Sequence, residues 1–228
     1  MTNFKILNTL VVLTGLLCSF YCRAQVDNCD LPAIDRELEK REDKEQSVRM
    51  EVIPVVLEYK KTGDGLFKLM RLVHKMNKID KKNQKYLDEL FSECGWDENL
   101  SDASHSAIFL IIDHGDIEFI NKYIHMVKEK AEAGILDPGD YPTVLDRKLM
   151  YEGKPQLFGT QTFSVSDSSD ENNYVWPVAM PEKLSHRRDS VSLPPMSEYF
   201  KIAMDEMGIK MVWDESITIE QALEMNRD

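Results

Sequence analysis

The chain has 228 residues, 43% hydrophobic and 30% charged, with a formal net charge of −12. That balance excludes a disordered or fibrous polymer and bounds the chain at one domain, or one domain plus a tail, with enough residues to bury a core. So large an acid excess repels nucleic acid and anionic membranes overall, and with no long basic run in the chain no nucleic-acid partner is expected.

Residues 1–24 are set aside first. Lys5 gives a short basic start, ILNTLVVLTGLLCSFYC follows almost without charge, and Cys22-Arg23-Ala24 ends in a small residue before Gln25. This predicts a secretory signal peptide cleaved after Ala24. The competing reading is an uncleaved anchor, but the run is short for a span of ~20 residues. Bulky Leu17 and Tyr21 before Cys18 and Cys22 argue against a lipoprotein. No other stretch is long and apolar enough to cross a bilayer, so no transmembrane segment is expected after cleavage. A periplasmic or secreted protein follows, with residues 25–228 as a single mainly helical domain. Two cysteines then remain, Cys29 and Cys94. In an oxidising compartment they can bridge or stay as free thiols, and sequence alone leaves both open.

A helix is predicted from Leu31, with Pro32 in its first turn, where a missing N–H costs nothing. Asp43, Gln46 and Arg49 are spaced three apart on one broad helix face. Pro54 is expected to end or kink this helix, and residues 60–65 read as a loop. Leu66, Leu69, Met70, Val73, Met76 and Ile79 repeat at helical spacing. Tyr86, Leu87, Leu90 and Phe91 resume the pattern after a polar break that holds Asp80 and Asn83. Gly95 marks the end of that helix. Ser101 caps a helix through Ile112 that is apolar nearly all round, hence central and buried. Asp116 caps the next helix, which Gly134 ends. Tyr141 to Met150 forms a further short helix carrying Asp146 and Arg147.

After Gly153 the pattern changes. Gln156 to Ser166 alternates and is rich in Thr, Phe and Val, so a strand is expected, with Tyr174 to Val178 as its hairpin partner across an acidic connection. Short helices over 181–191, 196–207 and 218–226 follow, and 209–213 reads as a short strand. The predicted fold class is mainly α: a multi-helix domain of six to eight helices with one β-hairpin packed on them.

No CxxC, HExxH, GxSxG, P-loop or GxGxxG string occurs. The five histidines, at 74, 105, 114, 125 and 186, are scattered, so no metal site and no cofactor are predicted. What remains is a set of polar residues at element ends. His114 follows the buried helix, Asp146-Arg147 closes another, and Gln156 and Gln161 flank the first strand. If Asp43, Gln46 and Arg49 face the same place, carboxylates, guanidiniums, amides and an imidazole meet in one pocket. That chemistry suits a small polar or anionic ligand, or acid/base work. The competing reading is a structural network in which Arg49 and Arg147 pair with Asp43 and Asp146.

The order Asp43-x-x-Gln46-x-x-Arg49, Gly95-Trp96, Ile-Ile-Asp-His114-Gly-Asp, Leu-Asp-Arg147, Gly-Lys-Pro-Gln156-Leu-Phe-Gly-Thr-Gln161, Trp-Pro177 and His-Arg-Arg188-Asp-Ser-Val resembles an uncharacterised bacterial family, catalogued as a domain of unknown function. Its secreted members are common in Bacteroidetes-like bacteria. The likeness covers about residues 35–200. Its most specific string is K-P-Q-x-[YF]-G-T-Q. This chain has Phe158 where Tyr is usual, and Asp113 where Gln is usual before the histidine. The resemblance implies that Asp43, Gln46, Arg49, His114, Asp146, Arg147, Gln156, Thr160, Gln161 and Arg187 or Arg188 belong to one constellation, and it implies no reaction.

The expected function is therefore that of an exported binding or interaction domain with a polar pocket, for a small ligand or a protein partner. One alternative is a hydrolase-like enzyme using His114 with Asp146 or Asp43 as acid/base pair and an Arg anion clamp. Another is a structural cell-envelope protein with no pocket.

Overall fold

The structure, a computed structural model, describes residues 29–165 and 172–226. The expected signal peptide and most of the acidic hairpin connection lie outside the described residues.

The chain opens on two long helices, α1 (Leu31–Thr62) and α2 (Leu66–Glu93). Asp30 caps α1 by accepting from the Ala33 N–H at 3.1 Å, with Pro32 in the first turn. The helix runs through Pro54 instead of stopping there. Pro54 and Met50, one turn back, are both exposed, so the carbonyl that loses its N–H partner lies on a solvent face. Gly63, with φ 75°, ends α1 in the left-handed conformation that an L side chain resists. As expected, α2 is one continuous helix, and Asp80 and Asn83, in the polar break of its apolar pattern, face inward. A disulfide between Cys29 and Cys94, Cα atoms 6.0 Å apart, ties the start of α1 to the end of α2.

Three shorter helices complete the helical body: α3 (Asp102–Asp113), α4 (Ile117–Glu132) and α5 (Asp140–Tyr151). Ser101 and Asp116 cap α3 and α4 through their side chains. α3 packs against α1, α2, α4 and α5. Its Ala107, Ile108, Ile111 and Ile112 are buried with Leu38, Leu87, Ile120, Val127 and Val144. A helix apolar all round can satisfy that surface only at the centre of a bundle. Trp96 stacks on Phe91 with ring centroids 5.8 Å apart and donates its indole N–H to His105 Nδ1 at 2.8 Å.

Beyond α5 come β1 (Thr162–Ser164) and β2 (Asn172–Val175), antiparallel with Thr162 opposite Val175. A 3-10 turn (Pro181–Lys183) leads into α6 (Leu184–Ser190), then α7 (Met196–Met207), β3 (Lys210–Val212) and α8 (Ile219–Met225). The expected hairpin is one part of a three-stranded sheet, because β3 adds parallel to β2. The first strand is also shorter than its alternation suggests: Gln156 forms only an isolated bridge to Val178. Phe163 and Trp176 pack with Ala222 of α8 as a second apolar cluster. The molecule is mainly α, with a small sheet on the helices.

Candidate functional site

Four helices converge on a chain of charged and polar side chains. Glu45 and Arg49 stand one turn apart on α1, a spacing that lets side chains meet. Arg49 Nη1 lies 2.7 Å from Glu45 Oε1, and its Nη2 lies 3.1 Å from Asp80 Oδ1 on α2. Gln46 Nε2 donates to Glu45 Oε2 at 2.7 Å. His114, the C-cap of α3, meets Glu45 Oε1 through its ring Nδ1. A carboxylate can only accept, so Nδ1 carries the proton. Asp113, next to His114, takes Arg147 of α5 in a two-pronged pair, Nε to Oδ1 at 2.9 Å and Nη2 to Oδ2 at 2.8 Å. The order is Asp80, Arg49, Glu45, His114, Asp113, Arg147.

Burial alternates along this ladder and is deepest at the Glu45 and Asp113 carboxylates. Glu45 is 1% exposed, and such a buried carboxylate needs partners; Arg49, Gln46 and His114 supply them. His114 and Arg147, on either side of buried Asp113, reach the surface, with side chains 20% and 22% exposed. Burial pushes the Asp80 carboxyl up, against the pull of Arg49. Asp113 holds the Arg147 guanidinium firmly charged, against burial. His114 Nε2 stands 3.8 Å from Asp113 Oδ2, beyond hydrogen-bonding distance.

Asp146 points the other way and does different work. It is fully buried and accepts from the backbone N–H groups of Leu157, Phe158 and Thr160 and from the Thr160 hydroxyl, at 2.7 to 3.2 Å. Burial pushes its carboxyl up while those donors oppose it. The segment wraps the carboxylate because Gly159, φ 69°, allows a turn in which a Cβ would press on Met196 Sδ at 3.1 Å. Gln156 is also fully buried. Its amide donates to the Gln161 and Trp176 carbonyls and accepts the Gln161 N–H. Gln161 Nε2 donates to Thr143 O at 3.3 Å and Thr160 Oγ1 at 3.2 Å. Buried Arg188 donates to the carbonyls of Phe158 and Pro194 and lies over the Tyr199 ring, 5.1 Å from its centroid. Arg187 donates to the carbonyls of Ala179 and Met180.

The sequence-expected residues thus divide into two groups. Gln46, Arg49, His114 and Arg147 meet in the ladder. Asp146, Gln156, Thr160, Gln161 and Arg188 form a buried polar knot that holds the 156–161 segment against α5 and α6; its hydrogen bonds run among these residues and to backbone, and Arg188 Nη2 alone among their buried side-chain nitrogens and oxygens has no hydrogen-bond partner. Asp43 belongs to neither: it is exposed on α1, beside Glu42. Glu45, two residues on, is the carboxylate that faces inward. Glu45, Asp80 and Asp113 carry the ladder without standing out in the sequence. The four-residue spacing of Glu45 and Arg49, and the adjacency of Asp113 to His114, are the signals that point to two of them. Among the described residues no group of three or more His, Cys, Asp or Glu is arranged to hold a metal ion, and no helix is long and apolar enough to cross a membrane.

Fold and site together define a mainly α domain with a cross-helix charge ladder backed by a buried polar knot. The chain belongs to a family of unknown function (DUF6624), whose model matches residues 34–212. No curated protein and no solved structure matches it.

Proposed function

We propose that this is a binding domain for a small polar ligand, received at the ladder by the partly exposed His114 ring. The observation that carries this reading is the His114 ring itself. Its Nδ1 is anchored to a buried carboxylate, while Nε2 lies beyond bonding distance of Asp113 on a side chain that is 20% exposed. An imidazole fixed from behind presents one hydrogen-bonding atom in a set direction, which is the preorganisation a binding site needs. The guanidiniums play a lesser part. Arg147 is engaged by Asp113, and Arg49 by Glu45 and Asp80, so the ligand is recognised by hydrogen bonding more than by an anion clamp.

The test is ring NMR of His114 during titration with neutral saccharides, carboxylates and phosphate. A ligand that shifts the His114 resonances, and loses affinity about tenfold or more in His114→Ala, supports the reading. The reading falls if every class leaves those resonances unmoved while His114→Ala stays folded.

The anchoring of Nδ1 by Glu45 favours one second reading, a hydrolase-like enzyme in which Nε2 acts as general base. In that case Glu45, rather than Asp43 or Asp146, is the orienting carboxylate, since Asp146 is occupied by four donors. Turnover lost in His114→Ala with binding retained would mark the enzyme. Work in an oxidising compartment after export fits the Cys29–Cys94 disulfide, because such bridges persist where thiols are not kept reduced.

A further inference from the structure

The outer half of the α1–α2 hairpin has little to pack on. In α2 the buried residues are Asn83, Leu87 and Leu90, all in its second half. At its start three large apolar side chains stand in water: Leu66 is 44% exposed, Phe67 88% and Met70 60%. From Leu66 to Tyr86 the one acidic residue is Asp80, which is turned inward to Arg49. The outward face carries Lys68, Arg71, Lys78, Lys81 and Lys85, all exposed, with Lys85 in an exposed ion pair to Glu89 at 3.4 Å. Phe67, His74, Lys78, Lys81 and Lys85 follow one another at three-, four- and seven-residue steps and so form a stripe, about 27 Å long at 1.5 Å per residue.

We propose that this face of α2 is an interfacial surface that lies on an anionic lipid bilayer, with Leu66, Phe67 and Met70 entering the headgroup boundary and the lysines meeting the lipid phosphates. Apolar anchors beside a basic stripe are what a helix lying in a membrane interface requires. The charge of the face selects the occupant. A second copy paired about a two-fold axis would set lysines against lysines. A soluble polyanion would meet the lysines but leave the three apolar side chains in water. The acid excess of the whole chain does not cancel the patch, because charges beyond a Debye length, about 8–10 Å in ordinary salt, are largely screened.

The test is binding of the protein to vesicles of phosphatidylcholine alone and of phosphatidylcholine with phosphatidylglycerol, at low and high salt. The substitution Phe67→Trp serves as a local reporter: the emission it adds over that of the parent moves to the blue on entering the interface. The expected result is a blue shift on the anionic vesicles alone, weakened by salt. Affinity should fall about tenfold in Met70→Ser and in the triple change Lys78→Glu, Lys81→Glu, Lys85→Glu. All these side chains are exposed, so the variants keep the fold, which circular dichroism checks. The proposal is overturned if the emission added by Phe67→Trp is unmoved by anionic vesicles, if the charge reversals leave binding intact, or if Met70→Ser instead dissolves a dimer seen by sedimentation.

Discussion

His114 caps the end of α3 and Asp146 lies in the middle of α5, and they differ in what surrounds them. Around His114 the protein supplies one anchor and leaves one ring nitrogen beyond bonding distance of its neighbour. Around Asp146 every donor within reach is used. Removing the acceptor from four buried donors should therefore cost far more than removing the imidazole. Asp146→Ala is expected to lose at least about 3 kcal/mol in denaturant unfolding, and His114→Ala within about 1 kcal/mol, since Arg49 and Gln46 still satisfy Glu45. A large loss for His114→Ala would make the ladder a folding device like the knot. Asp140, at the start of α5, gives a pH signature. Burial, with the Asp137 and Asp113 carboxylates beside it, pushes its carboxyl up from the ordinary 3.8 to about 6. Between those values the folded state holds the proton that the unfolded chain has released. The stability Asp140 contributes is thus full below the lower value and is lost as pH rises through about 6. Asp140→Asn keeps an acceptor for the Asp137 N–H but cannot ionise. Its unfolding midpoint should exceed that of the parent at pH 7 and converge with it below pH 4.

Among the elements, α1 and α2 rely most on a covalent tie. Their far ends have few buried residues, and their near ends are joined by Cys29–Cys94, 65 residues apart in sequence. Closing so long a loop restricts the unfolded chain, so Cys94→Ser or reduction should lower stability by about 2–4 kcal/mol. Native-state hydrogen exchange should place the largest effect in α1, α2 and the Trp96 turn; an unchanged stability would mean that helix packing alone holds the hairpin. α3 is the contrasting case. It is held by apolar contact with four helices, and its caps at Ser101 and His114 place polar groups at its two ends.

For the whole molecule, the sequence by itself determined the parts whose cause is local. Ser101 and Asp116 cap helices because their side chains reach their own backbone, and Thr218 with Gln221 forms a capping box for the same reason. α3 is central because no face of it is polar. Pro54 does not end α1, one of the two outcomes expected there, since its effect depends on which side of the helix meets water. The polar break in the apolar pattern of α2 has its reason in partners on α1: Asp80 meets Arg49, and Asn83 Oδ1 accepts from Arg41. Most of the site's residue types were legible, but not their grouping. Helical spacing places Asp43, Gln46 and Arg49 on one broad face without saying that Glu45 is the carboxylate turned inward. Tertiary structure decided that, by setting α3 against that side of α1 and α5 against α3, so that His114 reaches Glu45 and Arg147 reaches Asp113. It also separated Asp146 from Arg147, adjacent in the chain, into a buried knot and an open ladder. Successive residues on a helix point about 100° apart, and packing alone determines which direction is the interior.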